Sequence, residues 1–135
     1  MTGHDRAAVA ALALLGLLAG VVLLVFASGA CPSDTPAQPC PAAASNRAVV
    51  IGLAAASACM VVTAFALLAE FATRRRILYR GAWSRAARRG VLAGITLAAL
   101  AGLRLAGALS VPGAIFVILI GLMLEWFAIR RLDSP

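Results

Sequence analysis

AAVAALALLGLLAGVVLLVFA, residues 7–27, contains no charged or amide side chain. A helix needs about 20 predominantly apolar residues to cross the ~30 Å hydrocarbon layer of a bilayer, and this run is that long. Three similar runs follow: AVVIGLAAASACMVVTAFALLA (48–69), VLAGITLAALAGLRLAGALSV (91–111) and GAIFVILIGLMLEWFAI (113–129). In lipid, only helices and closed barrels satisfy the backbone, and none of these runs shows the alternation of a barrel strand. The expected fold is therefore all-α: an integral membrane protein of four transmembrane helices in an antiparallel up-down bundle. One domain covers residues 1–135, with helices near 6–29, 47–73, 88–110 and 112–131. An outer Pro/Cys loop occupies 31–46, and an Arg-rich loop occupies 74–90.

Composition excludes the soluble alternative. The 135 residues are 63% hydrophobic and 13% charged, against roughly 45–50% and 25% in soluble domains. The charge is also one-sided. All twelve cationic residues are arginine. Arg6, the group Arg74, Arg75, Arg76, Arg80, Arg85, Arg88 and Arg89, and the pair Arg130 and Arg131 flank one side of the spans, and Arg47 borders the other. By the positive-inside rule, the N-terminus, the 74–90 loop and the C-terminus are cytoplasmic, in a bacterial-type cytoplasmic (inner) membrane. Tyr79, Trp83, Trp126 and Phe127 stand where interfacial aromatic residues belong. The loop arginines are candidate contacts for anionic lipid headgroups, at about 1 kcal/mol each near the surface. No base-reading module accompanies them, so nucleic acid is not an expected partner.

The opposite loop, CPSDTPAQPCPAAASN (31–46), carries four of the six prolines and two of the three cysteines. On the outer face disulfides persist, and Cys31 and Cys40 are predicted to form one. Their spacing is not that of a C-x-x-C redox motif. Cys59, within the second span, reads as a small apolar packing residue. A rival reading makes residues 7–31 a lipoprotein signal ending at Cys31. Against it, the apolar stretch exceeds a 7–15-residue signal core, and Ser28 stands where such signals usually carry an aliphatic residue.

In lipid, helices associate through close backbone approach at small residues. The third span offers Gly90, Gly94, Ala98, Gly102 and Ala106 at every fourth position; the first offers Gly16 and Gly20; the second offers the weaker pair Gly52 and Ala56. SVPG (110–113) leaves space for a turn only, which predicts a tight hairpin between the third and fourth helices with Pro112 at the start of the fourth. Self-association through these stripes, or membership of a larger membrane complex, is the functional alternative to internal packing.

Ionisable groups inside spans are costly and hence the candidate functional charges. Glu70 has Arg74 one turn further on, which predicts an i,i+4 ion pair. Arg104 falls about five residues inside the outer end of span three, roughly 8 Å deep at 1.5 Å per residue, and is expected to snorkel. Glu125 has no basic residue one turn away. Folding the hairpin about residues 111–112 sets it opposite Ala98, and Arg104 opposite Leu119. That register leaves Glu125 either partly protonated by desolvation or bonded to another subunit.

Catalytic chemistry finds little material. His4 is the only histidine, so neither a clustered His metal site nor a Ser–His or Cys–His pair within the spans is available. No phosphate-binding loop follows a strand. No enzyme activity, cofactor or metal is expected. In length and span number the chain resembles the small multidrug-resistance transporters, but these require an acidic residue in the first helix, and residues 7–30 carry none. Two functions follow: a non-catalytic accessory, assembly or scaffold subunit, or a small oligomeric proton- or cation-coupled transporter or channel using Glu125.

Overall fold

The computed structural model of the chain describes residues 3–31, 36, 39–73 and 81–132. They form four helices: α1 (Gly3–Gly29), α2 (Ala43–Thr73), α3 (Ala82–Leu105) and α4 (Val111–Leu132). No strand occurs among the described residues. All four helices are long and apolar enough to cross a membrane. At 1.5 Å per residue the shortest, with 22 residues, measures roughly 33 Å.

Each helix packs only on its neighbours in sequence: α1 on α2, α2 on α3 and α3 on α4. The α2–α3 seam is the most extensive and the α3–α4 seam the slightest. Register is readable from the glycine contacts. Gly16 meets Val61 while Gly20 meets Ser57, so numbers fall along α2 as they rise along α1. Gly90 meets Cys59 and Thr63, Gly94 meets Ala55, and Gly102 meets Ile51, with the same reversal. Three helices converge at one end of the molecule, where Val9, Ala64, Leu67 and Ala86 form a small buried core. Elsewhere large apolar side chains face outward, among them Leu24, Phe65, Ile115, Phe116 and Met123. In water so large an apolar surface would aggregate; around spanning helices it is the face a membrane protein turns to lipid.

Three boundaries differ from the sequence reading by four residues or more, each for a local reason. Helix α3 begins at Ala82 rather than near 88, so the second half of the Arg-rich stretch is helical. Gly81, at φ 95°, supplies the left-handed residue before it, a conformation only glycine adopts without strain. Ser84 Oγ donates to the Gly81 carbonyl at 2.9 Å. Arginine and alanine are then good helix formers, and Ala82, Ala86, Gly90 and Gly94 bury one stripe. Helix α2 starts earlier as well, at Ala43 rather than 47. Ala43 N–H donates to the Cys40 carbonyl there.

At its other end α3 stops at Leu105, short of residue 110. Gly107 has φ 71°, its N–H bonds the Arg104 carbonyl, and the Ala108 N–H bonds the Leu103 carbonyl. These two bonds are the Schellman pattern, which closes the orphan carbonyls of a helix end. Residues 106–110 then lead to α4, where Ser110 Oγ accepts the Gly113 N–H at 3.2 Å, as an N-cap serine does. Pro112 sits in the first turn, where it sacrifices no helical hydrogen bond.

The early stop at Leu105 shifts the α3–α4 register. Thr96 lies against Gly121 and Arg89 against Glu125, contacts that centre on residues 107–109 rather than 111–112. The expected juxtaposition of Glu125 with Ala98 is corrected accordingly. The expected juxtaposition of Arg104 with Leu119 goes with it; Arg104 occupies the last turn of α3. A cation there complements the helix dipole.

Candidate functional site

The charged end of α3 organises the site. One turn apart on that helix, Arg85 reaches toward α2 and Arg89 toward α4. Arg85 Nε donates to Glu70 Oε1 at 3.0 Å and its Nη2 to Oε2 at 2.8 Å, the bidentate fork that suits a carboxylate. The Glu70 side chain is only 11% exposed, so this pair compensates a nearly buried charge. The i,i+4 partner expected for Glu70, Arg74, lies outside the described residues, as do Arg75, Arg76 and Arg80; the observed partner comes from the next helix.

Glu125 is also matched. Arg89 Nε stands 3.0 Å from its Oε1. The N–H does not point at that oxygen, and the buried Nε donates to no acceptor among the described residues. The contact is thus an ion pair without a hydrogen bond, and each side chain is about one-third exposed. Arg88, next to it, donates from Nη1 to the Ala128 carbonyl at 3.2 Å. Arg130 lies over the Trp126 ring, 4.2 Å from its centroid, within cation–π range.

Beside the Arg89–Glu125 pair opens a groove of about 400 Å³ between α2, α3 and α4. It exists because α4 touches α3 but not α2, leaving a lateral cleft. Its walls are apolar, with Ala58 and Val62 from α2, Leu92 and Leu97 from α3, and Ile118 and Leu122 from α4. Thr96, Arg89 and Glu125 are its polar residues; the Thr96 hydroxyl donates to the Leu92 carbonyl at 2.8 Å within its own helix. Arg89 and Glu125 stand at one end of the groove, Leu100 and Ile118 toward the other.

The packing stripes are unequal. At Gly16 an added Cβ would lie 2.7 Å from Val61 Cγ2, and at Gly20 it would lie 3.2 Å from Ser57 Oγ. The same Ser57 hydroxyl donates to the Gly16 carbonyl at 2.8 Å, tying α1 to α2. At Gly90 an added Cβ would collide with Thr63 Oγ1 and stand 2.5 Å from the Cys59 carbonyl oxygen; at Gly94 it would stand 2.9 Å from that of Ala55. Beyond these, Ala98 and Gly102 are half-buried and Ala106 is exposed. Gly52 has nothing within 4 Å. Cys59 is half-buried in the same seam as Gly90 and Gly94.

At the other end of the molecule, Cys31 and Cys40 lie at disulfide-bonding distance, Cα–Cα 6.4 Å, inside the usual range. Asn46 Nδ2 donates to the Cys31 carbonyl at 3.2 Å, which fixes the end of α1 beside the start of α2. A second, smaller cavity there is lined by Ala27, Cys31, Arg47 and Leu105 among others.

No protein-family model, curated protein or solved structure matches this chain.

Proposed function

We propose that this chain is a small multi-pass protein of a bacterial-type cytoplasmic membrane and acts as a non-catalytic accessory, assembly or scaffold subunit. In this reading the four helices run up and down, both termini and the 74–90 segment are cytoplasmic, and 31–46 lies outside. The reversed register at each seam supports that order, and the short 106–110 link supports a hairpin of α3 and α4. The arginines of 74–90 other than Arg85 and Arg89, which face Glu70 and Glu125, hold anionic headgroups.

One observation carries the proposal: Glu70 of α2 and Glu125 of α4 are each matched by an arginine of α3, Glu70 by Arg85 and Glu125 by Arg89. Paired in this way, they clasp three helices together at one end, which is what a packing unit requires. Proton coupling calls for an unpaired, exchangeable carboxylate, and Glu70 and Glu125 each face an arginine instead.

A second reading, a small oligomeric proton- or cation-coupled transporter, is favoured by one feature, that Glu125 lines the groove. It ranks below the first because the groove walls are apolar and Arg89 already neutralises the carboxylate. Purification in mild detergent tests the choice: a scaffold subunit is recovered with a stoichiometric membrane partner. Proteoliposomes of the isolated chain should then show no proton flux that Glu125→Gln abolishes.

A further inference from the structure

We infer that the groove between α2, α3 and α4 is a binding site for one phospholipid with an amine-bearing headgroup, of the phosphatidylethanolamine type. Its depth is the first argument. From Arg89 to Leu100 along α3 it spans roughly 16 Å at 1.5 Å per residue, and half of the ~30 Å hydrocarbon layer is ~15 Å. The groove therefore runs from the interface to the bilayer centre, the depth of one acyl chain. Its volume of about 400 Å³ falls within the 300–1,000 Å³ of ligand clefts, and its walls are the apolar surface a chain requires.

The polar end selects the headgroup. Arg89 and Glu125 form a neutral pair with capacity to spare. The Arg89 Nε is buried against Glu125 Oε1, so the donors left for a ligand are the outer Nη groups of the guanidinium; the ion pair engages Glu125 through Oε1, leaving Oε2 open to a donor. A phosphate alone would be drawn to Arg89 but repelled by the carboxylate beside it. A headgroup with a phosphate and a primary ammonium satisfies both, the phosphate accepting from Arg89 and the ammonium donating to Glu125. Choline carries no N–H and cannot make the second bond; glycerol headgroups bring no cation.

The inference deepens the scaffold reading and rests on it only for the depth at which α3 enters the bilayer. The test is native mass spectrometry of the full chain in a neutral detergent. The sample is doped with equal amounts of phosphatidylethanolamine, phosphatidylcholine and phosphatidylglycerol bearing the same acyl chains. The wild type should retain one phosphatidylethanolamine per chain, about tenfold over phosphatidylcholine, the step one charge-assisted hydrogen bond gives. Glu125→Gln should abolish that preference while a phospholipid is still retained. Ala93→Phe, or Leu122→Trp from the facing helix, should fill the groove and lower retention of all three lipids at unchanged helicity. Phosphatidylglycerol retained above phosphatidylethanolamine and displaced by the filling variants would overturn the inference in favour of plain attraction to Arg89. Retention unaffected by both filling variants would also overturn it. So would a dimer that either filling variant dissolves, since a second copy would then occupy the groove. A chain that keeps no lipid yet copurifies with a stoichiometric partner would lose this inference and leave the scaffold reading standing.

Discussion

Gly90→Ala adds one methyl group where α2 and α3 cross most closely. The new Cβ would collide with Thr63 Oγ1 and stand 2.5 Å from the Cys59 carbonyl oxygen, against the 3.4 Å at which ordinary contact begins. Thr63 cannot simply rotate away, because its hydroxyl is bonded to that carbonyl at 2.6 Å and it is buried. The carbonyl belongs to the α2 backbone, so the two helices must separate by most of an ångström along their main seam. Overpacking of this kind costs about 1–3 kcal/mol, offset by up to ~1 kcal/mol of helix propensity gained over glycine; a net loss of up to about 2 kcal/mol results. Gly102→Ala is the control, twelve residues along the same helix. There the nearest atom is Ile51 Cδ1 at 3.8 Å, so the propensity gain stands alone and the variant should be as stable as the wild type or up to ~1 kcal/mol more so. Loss of far-UV helicity during titration of detergent micelles with dodecyl sulfate measures both. Equal midpoints for the two variants would refute the reasoning, because the seam would then be no tighter at Gly90 than at Gly102.

Arg85→Ala should destabilise by about 1.5–3 kcal/mol, the cost of losing the bidentate hydrogen bonds to a nearly buried carboxylate, and adding Glu70→Gln should restore part of it; the same titration reads both. Ser57→Ala removes the hydroxyl bonded to the Gly16 carbonyl and should cost about 0.6–1.7 kcal/mol, with loosening confined to α1 in hydrogen exchange. Alkylation before and after reduction should find Cys31 and Cys40 protected only before. Opening that loop should lower stability by about 2.5 kcal/mol for a separation of nine residues on the chain-entropy account. In a Cys59→Ala background, Ser84→Cys should react with an impermeant thiol reagent in inverted vesicles and stay unlabelled on intact cells.

The four helices were legible because each rests on a long, predominantly apolar run, and no tertiary detail is needed to see that residues 7–27 are long and apolar enough to span a bilayer. The helix ends and the site were less so. Nothing in the apolar pattern distinguishes Gly107, which ends α3, from Gly102, which lies within it; the difference is a backbone conformation fixed by two end-capping hydrogen bonds. A fold-back placed at Pro112 instead of Gly107 was enough to set Glu125 opposite an alanine rather than Arg89. The Glu70–Arg85 pair was hidden for another reason. Helix rules connect residues three or four apart, and this pair joins two different helices, α2 and α3. Its one visible signal was that Arg85 shares the four-residue period of Arg89 next to the Ala82–Gly94 stripe. The groove had no sequence signal, since it is made by α4 failing to reach α2.

The central claim is that Glu70 and Glu125 serve to hold helices together inside a larger membrane assembly. Its most direct test is the mass and composition of the particle released from native membranes by mild detergent, compared between wild type and the Arg85→Ala, Glu125→Gln double variant. The account predicts a particle holding this chain and a second membrane protein in fixed ratio, which falls apart when the clasps are removed. A particle made only of copies of this chain, unchanged in mass by the double variant, would contradict it.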